Sequence, residues 1–291
     1  MSHQGNIRSL RHEDSQQRAA VSFLIKHVGE LVAVSDPGGR EENQDAWGVF
    51  KTSDGGYAFA VADGLGGHEG GRQASQAAIE GVEKACSEAG FDCFANASLD
   101  GIFKEAQAHI RARQKASPAL DSMRSTLVVL LVKEQQAVWA HVGDVRLYLI
   151  SNDKVDVQTK DHSVPQLMVD TGEITAEQIR GHADRSRLLQ ALGKPDDQFR
   201  LAFMNKPRAL QSGDVFVLCT DGFWEWITEN ELVQSLQTSE LTLAFQSLEN
   251  ELRDSAVQSD DYDNFTAMAI KVAAVNKQSF LTRLFKRSNN V

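Results

Sequence analysis

The sequence predicts an α+β fold, a four-layer α/β/β/α sandwich of two packed antiparallel sheets flanked by helices, with a helical flap as an insert. Short apolar segments come in consecutive runs, and the long amphipathic stretches are grouped between those runs, which argues against a regular parallel doubly wound sheet. No internal repeat of the kind that builds solenoids or propellers is visible. With 291 residues and 42% hydrophobic content, the chain can bury a substantial core in one large domain.

Taken in order, residues 1–25 are polar and lack a period, so they read as an N-terminal tail or loosely docked leader. Segments 30–35, 57–63, 125–132, 137–142, 145–150, 214–219 and 265–272 are short and rich in Val, Leu and aromatics, the mark of strands buried on both faces. Between the second and third of these lie two helices. In the first, Ala74, Ala78, Val82, Ala85 and Ala89 recur at helical spacing, with Gly90 placed as a left-handed C-terminal cap. In the second, Ser98 can cap a stripe of Leu99, Ile102, Phe103, Ala106 and Ile110. A late helix pair spans about 228–236 and 241–254.

The stretch 163–193 breaks the strand pattern. Ser163 with Pro165 marks a helix start and Gly172 its stop, and Thr175 with Gln178 forms a capping-box pattern. This is the flap. The domain is therefore expected over 26–274, followed at 275–291 by a basic tail in which Phe280, Leu281, Leu284 and Phe285 alternate with cations, a frayed end or a short amphipathic helix.

Thirty basic against forty acidic side chains give a formal charge of −10, a field that repels nucleic acid and anionic lipid. Cys86, Cys93 and Cys219 form no C-x-x-C pair, which fits a reducing compartment. The N-terminus has no apolar core of a signal peptide, and the longest aliphatic run, 127–132, is too short to span a bilayer. The expectation is a cytoplasmic protein without a transmembrane segment, monomeric by default.

The chemistry points to one end of the strands. Asp63-Gly64 and Asp221-Gly222 each put a carboxylate at the end of a buried strand, where glycine allows a sharp turn. Either pair alone is an ordinary turn dipeptide. Asp260, Asp261 and Asp263 precede the last strand, and Asn264 can anchor their turn. Downstream of the first strand, Arg40 brings a planar fork that can grip two oxygens of a phosphate, or pair with a neighbouring glutamate.

Six elements then occur together and in order: Arg40-x-x-Asn43-Gln44-Asp45, Ala62-Asp63-Gly64-Leu65-Gly66-Gly67-His68, Ser125-Thr126, Gly143-Asp144-x-Arg146, Thr220-Asp221-Gly222 and Asp263-Asn264. Over residues 28–273 the chain resembles the type 2C metal-dependent serine/threonine protein phosphatases, in their bacterial branch. The resemblance implies the four-layer sandwich. It also implies two Mg2+ or Mn2+ ions: Asp63 resembles the bridging ligand, Gly64 offers its carbonyl, Asp221 and Asp263 match ligands of one ion, and Asp45 with Gln44 stands near the other. Gln44 replaces the glutamate of many eukaryotic members. Arg40 falls on the phosphate-gripping position, and Asp121 matches an acidic residue that helps bind a third, weaker metal together with Asp221.

Two positions depart from the pattern. Leu65 stands where eukaryotic members carry a proposed general-acid histidine; His68 is nearby, although a loop histidine is more often merely solvated. Arg124 stands where glycine usually precedes the Ser-Thr pair, and the sequence offers no account of it. The implied mechanism is direct hydrolysis of phosphoserine or phosphothreonine by a water or hydroxide shared between two cations about 4 Å apart. A clustered Cys/His set that would suit zinc is missing from the sequence.

The flap resembles those of bacterial members. The run from Asp221 to Trp226 is similar to the branch that opposes a threonine kinase controlling type VI secretion, while Trp224 and Trp226 have a plainer reading as core packing or a flap anchor. The implied partner is a phosphorylated protein paired with a Ser/Thr kinase. The rival readings are an inactive phosphoprotein-binding scaffold and a phosphatase of a small metabolite.

Overall fold

The computed structural model describes residues 3–4, 9–11, 19–95, 97–195, 202–203, 206–237, 240–256 and 262–273. The basic tail at 275–291, Asp260 and Asp261 lie outside these residues, as does the side chain of His68. In chain order the strands are His3–Gln4 (β1), Ser9–Arg11 (β2), Ala19–Ile25 (β3), Gly29–Asp36 (β4), Asp45–Lys51 (β5), Tyr57–Leu65 (β6), Arg124–Ser125 (β7), Leu127–Lys133 (β8), Gln136–Val142 (β9), Arg146–Ser151 (β10), Lys154–Gln158 (β11), Ala202–Phe203 (β12), Arg208–Ala209 (β13), Val215–Cys219 (β14) and Phe265–Val272 (β15). The α-helices are His68–Ser87 (α1), Ser98–Ala116 (α2), Val164–Thr171 (α3), Asp221–Trp224 (α4), Glu229–Leu236 (α5) and Leu241–Ala256 (α6).

The strands form two sheets, ordered β1-β3-β4-β15-β14-β10-β11 and β12-β9-β8-β6-β5-β2. The principal pairings are antiparallel, and among the described strands only the short β1 runs parallel to its neighbour β3. Strand alternation explains the layers. Tyr57, Phe59 and Val61 of β6 join Phe216 and Leu218 of β14, Met268 and Trp139 in the core between the sheets. The intervening Ala58, Ala60 and Ala62 face α1 and α2, packing with Ala74, Ala78, Ile102 and Phe103. On the far side Val215, Val217 and Cys219 face Phe223, Phe245, Leu248 and Leu252. Each central strand is thus buried on both faces, the physical origin of the unbroken apolar runs. The expected four-layer sandwich is what forms.

Several expectations change in detail. The leader is not all tail: Ala19–Ile25 pairs with β4 over seven positions. Its apolar run directly follows a polar stretch without a turn signal, and pairing decides it. Strand β5 was also hidden behind the acidic Arg40 loop, and β11 alternates between exposed and half-buried residues at a sheet edge. Helix α1 ends at Ser87 with Glu88 already extended, so the left-handed Gly90 lies in the following loop and does not cap. Ser98 is the first helical residue of α2 and bonds back to the Asp92 carbonyl instead of capping. Ser163 and Gly172 do cap α3, and the Thr175 box opens one 3-10 turn, Ala176–Gln178. All three cysteines are free and buried. Among the described residues no helix is long and apolar enough to cross a membrane.

The α1–α2 contact depends on a missing side chain. A Cβ at Gly81 would collide with the backbone of Ala106 in α2, whereas one at Gly101 would meet open space. Gly81→Val should therefore destabilise the protein by about 3 kcal/mol, while Gly101→Ala should stabilise it by about 0.5–1 kcal/mol. Urea unfolding of both variants against wild type checks the pair, and a neutral Gly81→Val would contradict the packing.

Candidate metal centre

The ends of four strands, two from each sheet, meet at one end of the sandwich. In one sheet β5 begins at Asp45, directly opposite Asp63 of β6. The backbone of Asp63 is held on both sides: its carbonyl accepts from the Thr126 amide at 2.9 Å and the Ser125 hydroxyl at 2.8 Å, and its amide donates to Thr126 Oγ1 at 3.0 Å. In the other sheet β14 runs through Thr220 into α4, whose first residue is Asp221, and Asp263 stands two residues before β15. Polar contacts join the two: Thr220 Oγ1 donates to Asp45 Oδ2 at 2.9 Å in a buried bond, and the Gln44 amide donates to Asn264 Oδ1 at 2.8 Å.

Asn264 fixes more than its own turn. Its amide nitrogen also donates to the carbonyls of Pro37 at 2.7 Å and Glu42 at 2.9 Å, fastening both limbs of the Arg40 loop to the start of β15. Arg40 is thereby held beside the cluster, with Nε 3.5 Å from Asp263 Oδ1 and about half of each side chain exposed. The glycines permit close approach. A Cβ at Gly64 would strike the Gly71 carbonyl in α1, and one at Gly222 the Asn264 carbonyl.

Crowding sets the electrostatics. Burial, and then the carboxylates of Asp221, Asp45, Asp144 and Asp263, hold the Asp63 carboxyl well above the ordinary range. Burial and then Asp144, Asp263, Glu225 and Asp45 do the same to Asp221. Asp45 is pushed up to about 7, by burial first, against the lowering hydrogen bonds from Thr266 and Thr220. Two buried carboxylate oxygens, Asp45 Oδ1 and Asp144 Oδ1, have no hydrogen-bond partner in the protein. Unpartnered buried oxygens among like charges are what a cation would satisfy.

No three His, Cys, Asp or Glu side chains among the described residues close into a cage around one point. An open, all-oxygen set suits Mg2+ or Mn2+, because Mg2+ keeps several waters and leans on one or two carboxylates. The residues fit such ions.

Asp63, Asp221, Asp45 and Asp263 therefore lie within electrostatic reach of one another, with Arg40 at the rim. Asp121 does not join them so closely: it is exposed after the Pro118–Leu120 turn, and its charge is not among those that dominate Asp63 or Asp221. Asp144, which the sequence reading did not include among the ligands, is an acid whose charge reaches both Asp63 and Asp221. It is 3% exposed, and burial together with Asp161 raises its carboxyl to about 7. The sequence held a signal for it, since Gly143-Asp144 also follows a buried strand, with the glycine before the acid instead of after it. Arg124 gains an account as well: its guanidinium donates to the carbonyls of Asp121 at 2.9 Å and Met123 at 2.7 Å, bracing the turn before Ser125.

The model of the family described as Protein phosphatase 2C matches residues 39–258, three quarters of the chain and all of the carboxylates above except Asp263. The serine/threonine phosphatase stp of Listeria innocua is 32% identical over 68% of this chain and 79% of its own length. PstP of Mycobacterium tuberculosis is 30% identical over 87% of this chain and 46% of its own, so this chain spans about half of that protein. A PstP catalytic domain solved with two manganese ions superposes with a TM-score of 0.69 at 28% identity, covering 84% of this chain and 97% of that one. PppA, a regulatory component of type VI secretion in Pseudomonas aeruginosa, gives 0.67 at 25% identity over 83% and 96%. The sandwich is thus a shared fold, and the chain belongs to the protein phosphatase 2C family. Its class follows: it is a protein serine/threonine phosphatase.

Because Asp45 and Asp144 keep their protons to about pH 7 when folded, while unfolded carboxylates lose theirs near pH 4, the folded state binds more protons in between. Stability of the metal-free protein should consequently fall as pH rises from about 5 to about 8. Melting temperatures in chelator across that range, compared with Asp45→Asn, should show a shallower decline in the variant. A decline of equal slope in both would remove Asp45 as a cause.

Proposed function

We propose that this chain hydrolyses phosphoserine and phosphothreonine in proteins with two Mg2+ or Mn2+ ions. Asp63 would be the ligand common to both ions, the Gly64 carbonyl would meet one of them, Asp221 and Asp263 would hold one ion, and Asp45 would belong with the other. Asp121, on its exposed turn, is assigned to a weaker third ion shared with Asp221. The observation that carries the reading is the group of crowded, mutually repelling carboxylates from both sheets, of which Asp45 and Asp144 are buried and each leave one oxygen without a partner in the protein. When bound, such cations supply the acidity that makes hydroxide available near neutral pH and offset charge developing on the phosphoryl oxygens.

The protein's own residues do the rest. The strand ends hold the carboxylates still, so little reorganisation is needed when the substrate arrives. The Arg40 guanidinium, kept at the rim by Asp263 and the Asn264-fastened loop, can donate to two phosphoryl oxygens and set the phosphorus in line for attack. Leu65 has no proton to give, so the leaving serine or threonine oxygen takes its proton from another donor.

The substrates are proteins phosphorylated by a Ser/Thr kinase, and the chain works as a monomer in the cytoplasm. Likeness to PppA, together with the run Asp221 to Trp226, supports a kinase that controls type VI secretion. The phosphatase domain is assigned to 26–274 with its flap at 163–193, and the strand Ala19–Ile25 adds to its sheet.

Asp63→Asn and Asp221→Asn should each lower kcat on a small aryl phosphate about 1,000-fold with the fold intact by circular dichroism. Near-native rates in either would mean that the ligands are misassigned. Excess chelator should abolish turnover and Mn2+ restore it. Arg40→Ala should lower kcat/KM on the order of 30-fold, the worth of charge-assisted hydrogen bonds to phosphate, in steady-state assays on a phosphothreonine peptide.

A further inference from the structure

Helix α4 carries Asp221 at its start and Trp224 one turn later, and the surroundings of Trp224 exceed what core packing asks for. The indole is 1% exposed, and its Nε1 donates to the backbone carbonyl of Asp144 at 2.9 Å. The Arg146 guanidinium lies over the ring at 3.5 Å from the centroid, and that of Arg180 at 5.7 Å. Both cations lead to the flap. Arg146 grips Asp161, two residues before the flap, through two parallel bonds of 2.8 and 2.7 Å. Arg180 lies within the flap and donates to the Ile227 carbonyl at 3.1 Å and to Glu229 Oε1 at 2.8 Å. Glu229 also accepts from the Tyr148 hydroxyl at 3.3 Å. One residue beyond Trp224, Glu225 accepts from Arg185 of the flap at 2.6 Å.

Filling space would need neither a ring N–H partner nor stacked cations, and a phenylalanine would serve. Here a single indole joins three things: the peptide of Asp144, whose buried Oδ1 is unpartnered; the helix that begins with Asp221; and the two arginines that seat the flap.

We infer that Trp224 is a positioning residue that couples the flap to the carboxylate cluster, fixing the Asp144 peptide through its ring N–H and, through its face, Arg180 of the flap and Arg146 at the flap's root. This rests on the metal reading above. If the coupling holds, loosening either contact weakens cation binding and also impairs handling of large substrates that the flap must meet.

The test uses the full chain. Mn2+ binding to metal-free protein is measured by calorimetry, and kcat and KM are measured on a phosphothreonine peptide and on a small aryl phosphate. Trp224→Phe keeps a ring but loses the N–H. It should bind Mn2+ about fivefold more weakly, the worth of one hydrogen bond, and lose more kcat/KM on the peptide than on the aryl phosphate. Arg180→Ala should shift both in the same direction, and the double variant should lose less than the sum of the two. A folded Trp224→Phe with wild-type Mn2+ affinity, or strictly additive losses, would overturn the coupling. Should Trp224→Phe not fold, Arg180→Ala carries the test with the indole in place: weakened Mn2+ binding supports the inference and unchanged binding overturns it. If wild type takes up no Mn2+, the metal assignment falls and the coupling with it, whereas normal uptake that no variant alters removes the coupling alone.

Discussion

Repulsion between crowded carboxylates is the constraint around which this protein is arranged. Asp63 and Asp221 each feel at least three other acids, and Asp45 and Asp144 are buried with one oxygen apiece unpartnered. Like charges in a poorly solvated place oppose folding unless they are protonated or given a cation. The rest of the molecule has to hold them there. Central strands buried on both faces supply that rigidity, since moving one carboxylate means disturbing the core between the sheets and a helix layer at once.

The polar contacts at the strand ends translate core rigidity into site geometry. Thr126 and Ser125 clamp the Asp63 backbone, Thr220 reaches from one sheet to Asp45 in the other, and Asn264 closes the Arg40 loop onto β15. None of these contacts need touch a substrate. Each fixes where a functional group sits, and the residues that make them, Ser125, Thr126, Thr220 and Asn264, are buried, so losing one would leave an unsatisfied partner. The flap is joined to the same frame at its root by Asp161 and Arg146, and at its return by the pairing of Leu192 with Ser125. Ser125 in turn bonds the carbonyl of Asp63, so the flap's second anchor is one residue's breadth from the cluster.

Kinship with the protein phosphatase 2C family accounts for the frame, and the departures show where it tolerates change. Leu65 lies on β6 where a proton donor is not needed to hold the fold, and Arg124 replaces a small residue yet finds backbone carbonyls to brace. Gln44 keeps its backbone contribution through the amide that meets Asn264. Each substitution leaves the contacts between strand ends intact.

Local sequence determined the apolar strand runs, the Ala-rich stripes of the first helix, the caps at Ser163 and Gly172, and the repeated placing of an acid at a strand end, because these follow from periodicity and turn chemistry within a few residues. It did not reveal β3, whose apolar run becomes a strand only by pairing with β4, nor the partners of Trp224, which come from β10, the 143–145 turn and the flap. That the Asp144 charge reaches both Asp63 and Asp221 was likewise decided by tertiary structure. A motif tells which residue types are present; which charges share a dry space depends on how two sheets pack, and that is a sum over contacts scattered along the whole chain.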